Sequence, residues 1–337
     1  MWLSGIKWMF LIIGTMIGAG YASGRELWQF FGQESELAIV LFTALFILST
    51  FVILNISFEY KTYHYIPILK MLLGEKLTFL YDGMIVLYLY TTTVIMLAGG
   101  GASLAVLGVP FWIGIGIISS MLVLLFIWGN KGMVMMNAVV IPVLIILLVS
   151  VLIKFSHVGG QILKLDWHHQ ANWPSAFTFT ALNILPLVAV LGAIGRDMKS
   201  KGEVWIASIG SGLTLGIISF LYNHSLTQVT NEIMLYEIPL FALLKSYPYV
   251  MTVVMSTLLW FAIYTTAASG VFGLITRFKK MVNMPLWLLA LILILTMIPM
   301  TMVGFSTLVA VLYPIYGLLN LYFLASVLIF PIMQKGH

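Results

Sequence analysis

Long apolar runs separated by short polar segments dominate the chain. A transmembrane helix needs about 20 mostly apolar residues, and a membrane β-barrel would instead show short alternating segments. The pattern therefore predicts an all-α integral membrane protein with ten transmembrane helices. The ten predicted spans are Trp2–Phe31, Leu37–Phe58, Thr78–Leu107, Phe111–Trp128, Met133–Phe155, Trp173–Ile194, Val204–Tyr222, Tyr249–Ile275, Leu286–Val303 and Thr307–Phe330.

The composition narrows the class of protein further. Only 8% of the 337 residues are charged and 61% are apolar, whereas an ordinary soluble domain carries roughly 25% charged residues. This composition excludes a soluble enzyme, a nucleic-acid binder and a disordered chain, and membrane lipid is the expected surrounding. The sequence contains no cysteine, and we recognise no carboxylate pair, nucleophile triad or phosphate-binding loop in it. We therefore expect no enzymatic activity.

The basic residues indicate an orientation. Ten spans place both termini on one side of the membrane. If that side is the cytoplasm, twelve basic residues fall inside and four (Arg25, Lys154, Lys164 and Lys245) fall outside. Because cytoplasmic loops carry an excess of Lys and Arg, we expect a multi-pass plasma-membrane protein with both termini in the cytoplasm.

Two segments of the chain resemble each other. Trp2–Glu26 and Trp173–Asp197 both begin W-x-S and end with Gly, Arg and an acid, at an offset of 171 residues. Ile66-Pro67 and Ile238-Pro239 open short amphipathic stretches at nearly the same offset. Five spans lie between the copies, so the second copy enters the membrane from the opposite face, as in inverted-repeat transporters. The predicted organisation is a first repeat at 1–155, an extracellular loop at 156–172 and a second, inverted repeat at 173–337.

Glycines interrupt the first span in its middle. Gly14, Gly18, Gly20 and Gly24 lie within eleven residues, and each costs on the order of 1 kcal/mol relative to Ala in a helix. Close helix packing through Gly14 and Gly18 is an alternative explanation, but four glycines favour an unwound segment. We predict a second break in the sixth span, which carries Asn183, Pro186 and Gly192.

An unwound segment in the bilayer is tolerated where it lines a cavity. The N–H groups from Gly20 to Ser23 would favour an anion, and the carbonyls from Gly14 to Gly18 could hold a cation. A small molecule with both charges, an amino acid zwitterion, fits such a site. The residues expected to contact it are Gly18, Ala19, Gly20, Tyr21, Ala22, Ser23, Thr92, Met96, Asn183 and Trp260.

With ten spans, an inverted repeat and broken helices 1 and 6, the chain resembles the LeuT-fold transporters of the amino acid–polyamine–organocation superfamily. The run G-A-G-Y-A-S-G-R-E at Gly18–Glu26 is similar to that of YkvI-type amino acid permeases of Firmicutes. The resemblance implies secondary active transport of an amino acid by alternating access. A transporter-like germinant or nutrient receptor subunit, which binds amino acids without transport, is the alternative.

The resemblance also implies a place for a coupling ion. Sodium-coupled members use an A-x-x-[ST]-[ST] pattern in the eighth span, which Ala262, Thr265 and Thr266 match, facing the carbonyls of Gly14 and Ile17. Threonine hydroxyls also bond to their own helix, so a structural role is the alternative. Proton-coupled relatives often carry a lysine in the fifth span, and none lies in 139–151 here. Sodium is favoured over protons as the coupling ion, and no other cofactor is expected.

Arg25 and Glu26 follow the predicted break, and we expect them near the outer end of the first span. In sodium-coupled relatives, an arginine near this point closes the outer gate against an acid of the tenth span. That acid is missing here, so Glu232 or Glu237 is the candidate partner. An interfacial ion pair that anchors the helix end is the alternative.

Overall fold

The computed structural model describes residues 2–128, 131–158, 170–278, 282 and 284–334, without the side chains of residues 19, 128, 131–139, 156–158 and 334. Within these ranges the regular structure is entirely helical. Most of the predicted loop at 156–172 lies outside the described residues. So do Lys164, Lys279, Lys280 and Lys335, which entered the count of basic residues, and the side chain of Ala19.

The helices follow the apolar runs. In chain order they are α1 (Trp2–Met16), α2 (Ala19–Ala22), α3 (Arg25–Phe30), α4 (Glu36–Glu59), α5 (Ile66–Ala105), α6 (Phe111–Trp128), α7 (Lys131–Val158), α8 (Ser175–Ala193), α9 (Lys201–Thr227), α10 (Thr230–Ile233), α11 (Leu240–Leu244), α12 (Tyr249–Phe278), α13 (Leu286–Met297), a 3₁₀ helix (Ile298–Val303), α14 (Phe305–Leu319) and α15 (Leu321–Gln334).

Seven helical segments in the described part of the chain are long and apolar enough to cross a membrane. They are Glu36–Glu59, Ile66–Ala105, Ser175–Ala193, Lys201–Thr227, Tyr249–Phe278, Leu286–Val303 and Phe305–Met333. Three shorter apolar helices, Trp2–Met16, Phe111–Ile127 and Val140–Phe155, lie in the remaining predicted spans. The chain is thus an all-helical, multi-pass membrane protein, and the count of ten crossings stays a prediction.

The first predicted span is divided, as the glycines indicate. Helix α1 ends at Met16, a single helical turn follows in α2, and α3 begins at Arg25. The non-helical backbone is confined to Ile17–Gly18 and Ser23–Gly24. Gly14 still belongs to α1, so the interruption is shorter than the run of glycines.

The predicted break in the sixth span is wrong. Helix α8 runs from Ser175 to Ala193 without interruption and contains Pro186. A proline removes one backbone donor from a helix, and the hydrogen bonds on either side keep the helix continuous where neighbouring helices enclose it. Asn183 lies within the same helix and donates from Nδ2 to the carbonyl of Phe179 at 2.8 Å. Gly192 falls in the last turn of α8 rather than in a break.

Short helices precede the two longest ones, at the positions of the Ile-Pro pairs. Gly74, with φ at 75° and ψ at 174°, separates a first segment of α5 from the rest of that helix. After Ile238-Pro239 the chain forms α11, and α12 follows it. The amphipathic stretches predicted from the repeat are therefore helical in both halves.

Helices of the first half pack mainly against helices of the second half. Helix α1 lies parallel to α9, where Trp8 Nε1 donates to Glu203 at 3.1 Å. Helix α8 lies parallel to α4, where the rings of Phe42 and Phe179 are 4.8 Å apart. In the predicted repeat, α1 corresponds to α8 and α4 corresponds to α9. The α1–α9 pair in one half-to-half contact therefore corresponds to the α8–α4 pair in the other. Helix α5 pairs antiparallel with α12, where Ser256 donates to the Ser103 carbonyl at 2.6 Å.

The helix ends gather at two faces. At the face that contains the N-terminus of α1, which we call the N-terminal face, Lys61 donates to the Met198 carbonyl at 3.0 Å and Lys201 pairs with Glu59 at 3.2 Å. At the opposite face, Lys245 pairs with Glu232 at 3.1 Å. Polar contacts thus bridge the two halves of the chain at the N-terminal face.

A matched pair of glycines in α6 tests this helix packing. A Cβ on Gly114 would lie 2.8 Å from the Gly101 Cα in α5, whereas a Cβ on Gly116 would meet nothing within 4 Å. We expect Gly114→Ala to lower the free energy of unfolding by about 1–3 kcal/mol, because backbone cannot move aside as a side chain can. Gly116→Ala should leave stability unchanged or raise it by up to about 1 kcal/mol. Thermal unfolding of the purified variants measures both, and an equal effect would contradict the packing.

Candidate functional site

The centre of interest is the interruption between α1 and α3. Ser23 stabilises the turn at Ser23–Gly24, between α2 and α3. Its hydroxyl donates to the Gly20 carbonyl at 2.7 Å and accepts from the Arg25 N–H at 3.2 Å. Gly24 has a φ of 78°, a conformation that glycine adopts at little cost. A Cβ there would also lie 2.8 Å from the ring of Tyr222. Gly24 is required both by its backbone conformation and by the close approach of α9.

Helix α9 holds the single turn of α2 in place. The Tyr21 hydroxyl lies 2.9 Å from the Leu215 carbonyl and 2.7 Å from the Ser219 hydroxyl. The Tyr222 hydroxyl donates to the Ala22 carbonyl at 3.0 Å. Tyr21, Ala22 and Ser23 have no exposed surface. The interruption is therefore enclosed by protein, and a ligand reaches it only after helices move.

A second attachment comes from the chain after α9. The Leu240 N–H at the start of α11 donates to the Ser23 carbonyl at 3.0 Å. The Ser23 carbonyl accepts this bond just as the Ala22 carbonyl accepts one from Tyr222 of α9, so both carbonyls at the turn are satisfied. Irregular backbone is stable at membrane depth only where protein satisfies its polar groups in this way.

The structure places Gly18, one of the predicted substrate contacts, beside the threonines of the candidate sodium site. A Cβ on Gly18 would lie 3.7 Å from the Thr266 hydroxyl oxygen of α12. The hydroxyls of Thr265 and Thr266 both donate to the Ala262 carbonyl, at 3.0 and 2.8 Å. Each hydroxyl oxygen keeps acceptor capacity while it donates, so the bonds to the helix leave room for a cation contact.

Two carbonyls near the end of α1 accept no backbone bond in the described part of the chain. Among the described residues, no backbone N–H donates to the carbonyl of Gly14 or of Ile17, whereas the neighbouring Ile13 carbonyl accepts from Ile17 at 2.7 Å. These are the two carbonyls that the resemblance to sodium-coupled transporters implies for the ion, and a hard cation needs several such oxygens.

Arg25 and Glu26 point in different directions. Arg25 is half-buried, the acid whose charge acts on it is Glu237, and its Nε has no hydrogen-bond partner among the described residues. Glu237 in turn accepts from the Ser306 N–H at 2.7 Å, while Glu232 pairs with Lys245 instead. Of the two acids named as candidates for Arg25, the structure places Glu237 near it.

The Glu26 side chain is directed into the protein. It is 8% exposed and lies directly against Gly20, on whose Cα a methyl group would overlap the carboxyl. Helix α3 starts just before Glu26, and consecutive helical residues point about 100° apart. Arg25, which is within reach of the charge of Glu237, therefore points away from Glu26, which turns back toward the interruption. The position of both residues near the outer end of the span stays a prediction.

Tyrosines that the sequence did not single out surround Glu26. Tyr313 of α14 and Tyr88 of α5 lie close enough for their hydroxyl groups to interact with its carboxyl. Tyr88 packs edge-on against Tyr316, whose hydroxyl lies 2.8 Å from that of Thr91. Tyrosines are common in apolar runs and these have no distinctive spacing, so only the fold could identify them.

The remaining predicted substrate contacts are dispersed. Met96 is buried in α5, and the buried Thr92 hydroxyl has no hydrogen-bond partner among the described residues. Asn183 bonds to its own helix. Trp260 stacks on Tyr264 with centroids 5.7 Å apart, and the Tyr264 hydroxyl donates to the Met121 carbonyl of α6. Six residues separate Trp260 from Thr266, which places it on another side of α12 from the one that faces Gly18.

A corresponding turn lies at the N-terminal face, after α8. Gly195 lies against the Ser57 carbonyl of α4, and the Arg196 N–H donates to the Thr62 carbonyl at 3.1 Å. Each Gly-Arg-acid segment thus contacts two elements of the other half of the chain. The first segment meets α9 and the chain before α12, and the second meets α4 and the chain before α5. Close by, Asp82 of α5 pairs with Arg277 of α12 and accepts from the Tyr65 hydroxyl at 2.8 Å.

Comparison with known proteins relates the chain to two proteins of Bacillus subtilis (strain 168). It is 48% identical to the uncharacterized protein YyaD over 335 residues, which cover 99% of both chains. It is 24% identical to the uncharacterized membrane protein YkvI over 327 residues, which cover 95% of this chain and 94% of YkvI. No family model matches the chain.

The contact between the interruption and α9 is tested at Gly24. Its φ is 78°, and a Cβ there would lie 2.8 Å from the Tyr222 ring. Gly24→Ala should lose about 1–2 kcal/mol to left-handed strain and should lower the unfolding temperature further, because its methyl group overlaps the ring. In a Tyr222→Ala background the strain remains but the overlap is gone, so Gly24→Ala should cost less there. Equal shifts in thermal unfolding in the two backgrounds would contradict the described contact.

Proposed function

We propose that this chain, which belongs to the same family as the uncharacterized protein YyaD, is a secondary active transporter of an amino acid or a related small zwitterion. The observation that carries the proposal is the enclosed interruption of the first span, held by α9 of the other half and facing Thr266 of α12. A continuous helix would serve a purely structural role equally well. The interruption places unpaired backbone groups where a ligand with two opposite charges can bind.

The proposed architecture is a LeuT-type arrangement of ten crossings in two inverted halves of five. The parallel pairs α1 with α9 and α8 with α4, which exchange when the halves are exchanged, support it. An interruption in the first half alone makes the two halves unequal, so the sixth span would contribute side chains and helix surface rather than unwound backbone. Alternating access would then consist of one group of helices rocking against the other.

The proposed location is the plasma membrane, with both termini in the cytoplasm. The gathering of Lys61, Arg196, Lys201 and Arg277 at the N-terminal face supports this orientation, because positive residues mark the cytoplasmic side. The substrate would enter from the opposite face, where Arg25 and Glu237 lie. Their separation or approach would open or close that entrance.

Transport itself is tested in proteoliposomes. A thermal-shift screen of the twenty amino acids identifies the ligand, because a ligand at 100 times its Kd stabilises by about 2.7 kcal/mol. The labelled amino acid should then accumulate in the vesicles against its own gradient when a sodium gradient points inward, and dissipating that gradient should release it. Binding without flux would instead favour a receptor subunit, and neither binding nor flux would contradict the proposal.

Sodium is the proposed coupling ion, held by Thr265, Thr266 and the carbonyls of Gly14, Ile17 and Ala262. Replacing both threonines by Ala should abolish sodium-dependent binding without unfolding the protein, since it removes two oxygens and no packed ring. The control is Thr257→Ala with Thr276→Ala, because these exposed threonines of α12 bond to their own helix in the same way, at 2.8 Å each. Equal substrate affinity in sodium and choline buffers would show the assignment to be wrong.

A further inference from the structure

Glu26 is a carboxyl group buried inside a membrane protein, and the described part of the chain offers it no ion-pair partner. Its side chain is 8% exposed. No lysine, arginine or histidine among the described residues forms an ion pair with it, since the pairs found there are Lys70–Glu75, Lys201–Glu59, Lys245–Glu232 and Arg277–Asp82. The adjacent Arg25 is turned toward Glu237.

The titratable groups nearest Glu26 are tyrosines, which are neutral at physiological pH: Tyr21 from α2, Tyr88 from α5 and Tyr313 from α14. Tyr222 of α9, which lies beside Gly24, is neutral as well. Helix α8, which also packs against α3, contains no titratable residue. A tyrosine hydroxyl can donate a hydrogen bond to a carboxylate but cannot balance its charge.

A buried carboxylate without a cation is strongly disfavoured and is neutralised by a proton unless a cation binds beside it. The position of Glu26 is one that a ligand's cation could reach. Its carboxyl lies against Gly20, inside the interruption that the proposed function assigns to the substrate. Ionisable groups within a membrane protein mark substrate or proton pathways more often than structural sites.

We propose that Glu26 recognises the positively charged amino group of the substrate, and that it does so by exchanging its proton for that group. The inference rests on the proposed function and adds to it the chemical class of the ligand, a small molecule with a protonated amine. It also adds a proton that travels in the opposite direction to the substrate.

The exchange balances in atoms and charge. The carboxylic acid of Glu26 loses its proton to water as the ammonium group enters. The carboxylate then accepts N–H hydrogen bonds from the ammonium group, and the nearby Tyr313 hydroxyl can donate to it as well. At Glu26 the charge of the ammonium group replaces that of the departing proton. The substrate's own carboxylate is balanced by the Na⁺ that the proposed function assigns to the site.

The proton exchange and the proposed sodium site use different groups of the protein. The oxygens assigned to sodium belong to the end of α1 and to α12, whereas Glu26 belongs to α3 and contacts Gly20 and Tyr313. Loss of sodium dependence and loss of proton release can therefore be separated by mutation.

The first measurement needs no ligand. Infrared difference spectra between the purified protein and Glu26→Gln at neutral pH should show the carbonyl stretch of a protonated carboxylic acid in the former alone. Glu203→Gln is the matched control, because Glu203 is also buried, 2% exposed, but accepts hydrogen bonds from Trp8 and the Lys199 N–H at the N-terminal face. A spectrum in which Glu26 is ionised without ligand overturns the proposal.

The second measurement counts protons released in weakly buffered solution when compounds are added. The panel contains the twenty amino acids, their deaminated acids and their decarboxylated amines. Compounds with an amino group should release about one proton per molecule bound, and affinity should rise with pH; the deaminated acids should release none. Glu26→Gln should bind about tenfold or more weakly with no proton release, whereas Glu203→Gln should match the unaltered protein.

A second variant keeps the test decisive if Glu26→Gln does not fold. Tyr313→Phe retains the carboxyl but removes its donor, so it should still release the proton while binding more weakly. If amino acids bind and are transported without proton release, the proposal for Glu26 fails and the transport function stands. If no amino acid binds but amines release the proton, the amino acid assignment fails and the role of Glu26 stands. If no compound of the panel releases a proton, the role of Glu26 is refuted.

Discussion

The need to satisfy backbone polar groups inside the bilayer governs this structure. The first span gives up helical hydrogen bonds at Ile17–Gly18 and at Ser23–Gly24, and lipid cannot replace them. Helix α9, the start of α11 and the Ser23 hydroxyl supply the replacements. The first span can be interrupted only because elements from the other half of the chain surround it. The packing of α1 along α9 follows from the same requirement.

The same enclosure gives Glu26 its chemical character. A carboxyl at the end of a solvent-exposed helix would be ionised and of little consequence, whereas one held against Gly20 and Tyr313 must be neutralised. The interruption thereby combines three kinds of group within a short length of chain. The end of α1 carries backbone carbonyls, the start of α2 carries backbone N–H groups, and the Glu26 carboxyl returns from α3. In the proposed function, these groups together bind a ligand that carries charges of both signs.

The hydrophobic pattern predicts much of the fold, because apolar length is what a membrane requires of a helix. The interruption of the first span was predictable since four glycines weaken a helix wherever it lies. The sixth span was mispredicted because Pro186 and Asn183 are tolerated in a helix that neighbours enclose. The direction of Glu26 depends on where α3 begins, and one residue of difference would turn it about 100° away from Gly20. Tyr88 and Tyr313 reach Glu26 from α5 and α14, which no local pattern reveals.

The central claim is that the enclosed turn at Ser23 becomes accessible during transport. The chain contains no cysteine, so Ser23→Cys introduces a single thiol at a position that is fully buried in this structure. Its reaction with a membrane-impermeant thiol reagent can be measured from each side, in right-side-out and inverted vesicles. We predict reaction from either side as the transport cycle proceeds, and protection by the bound amino acid. A thiol that reacts from neither side under any condition would contradict the account, because the turn would then be a fixed part of the core.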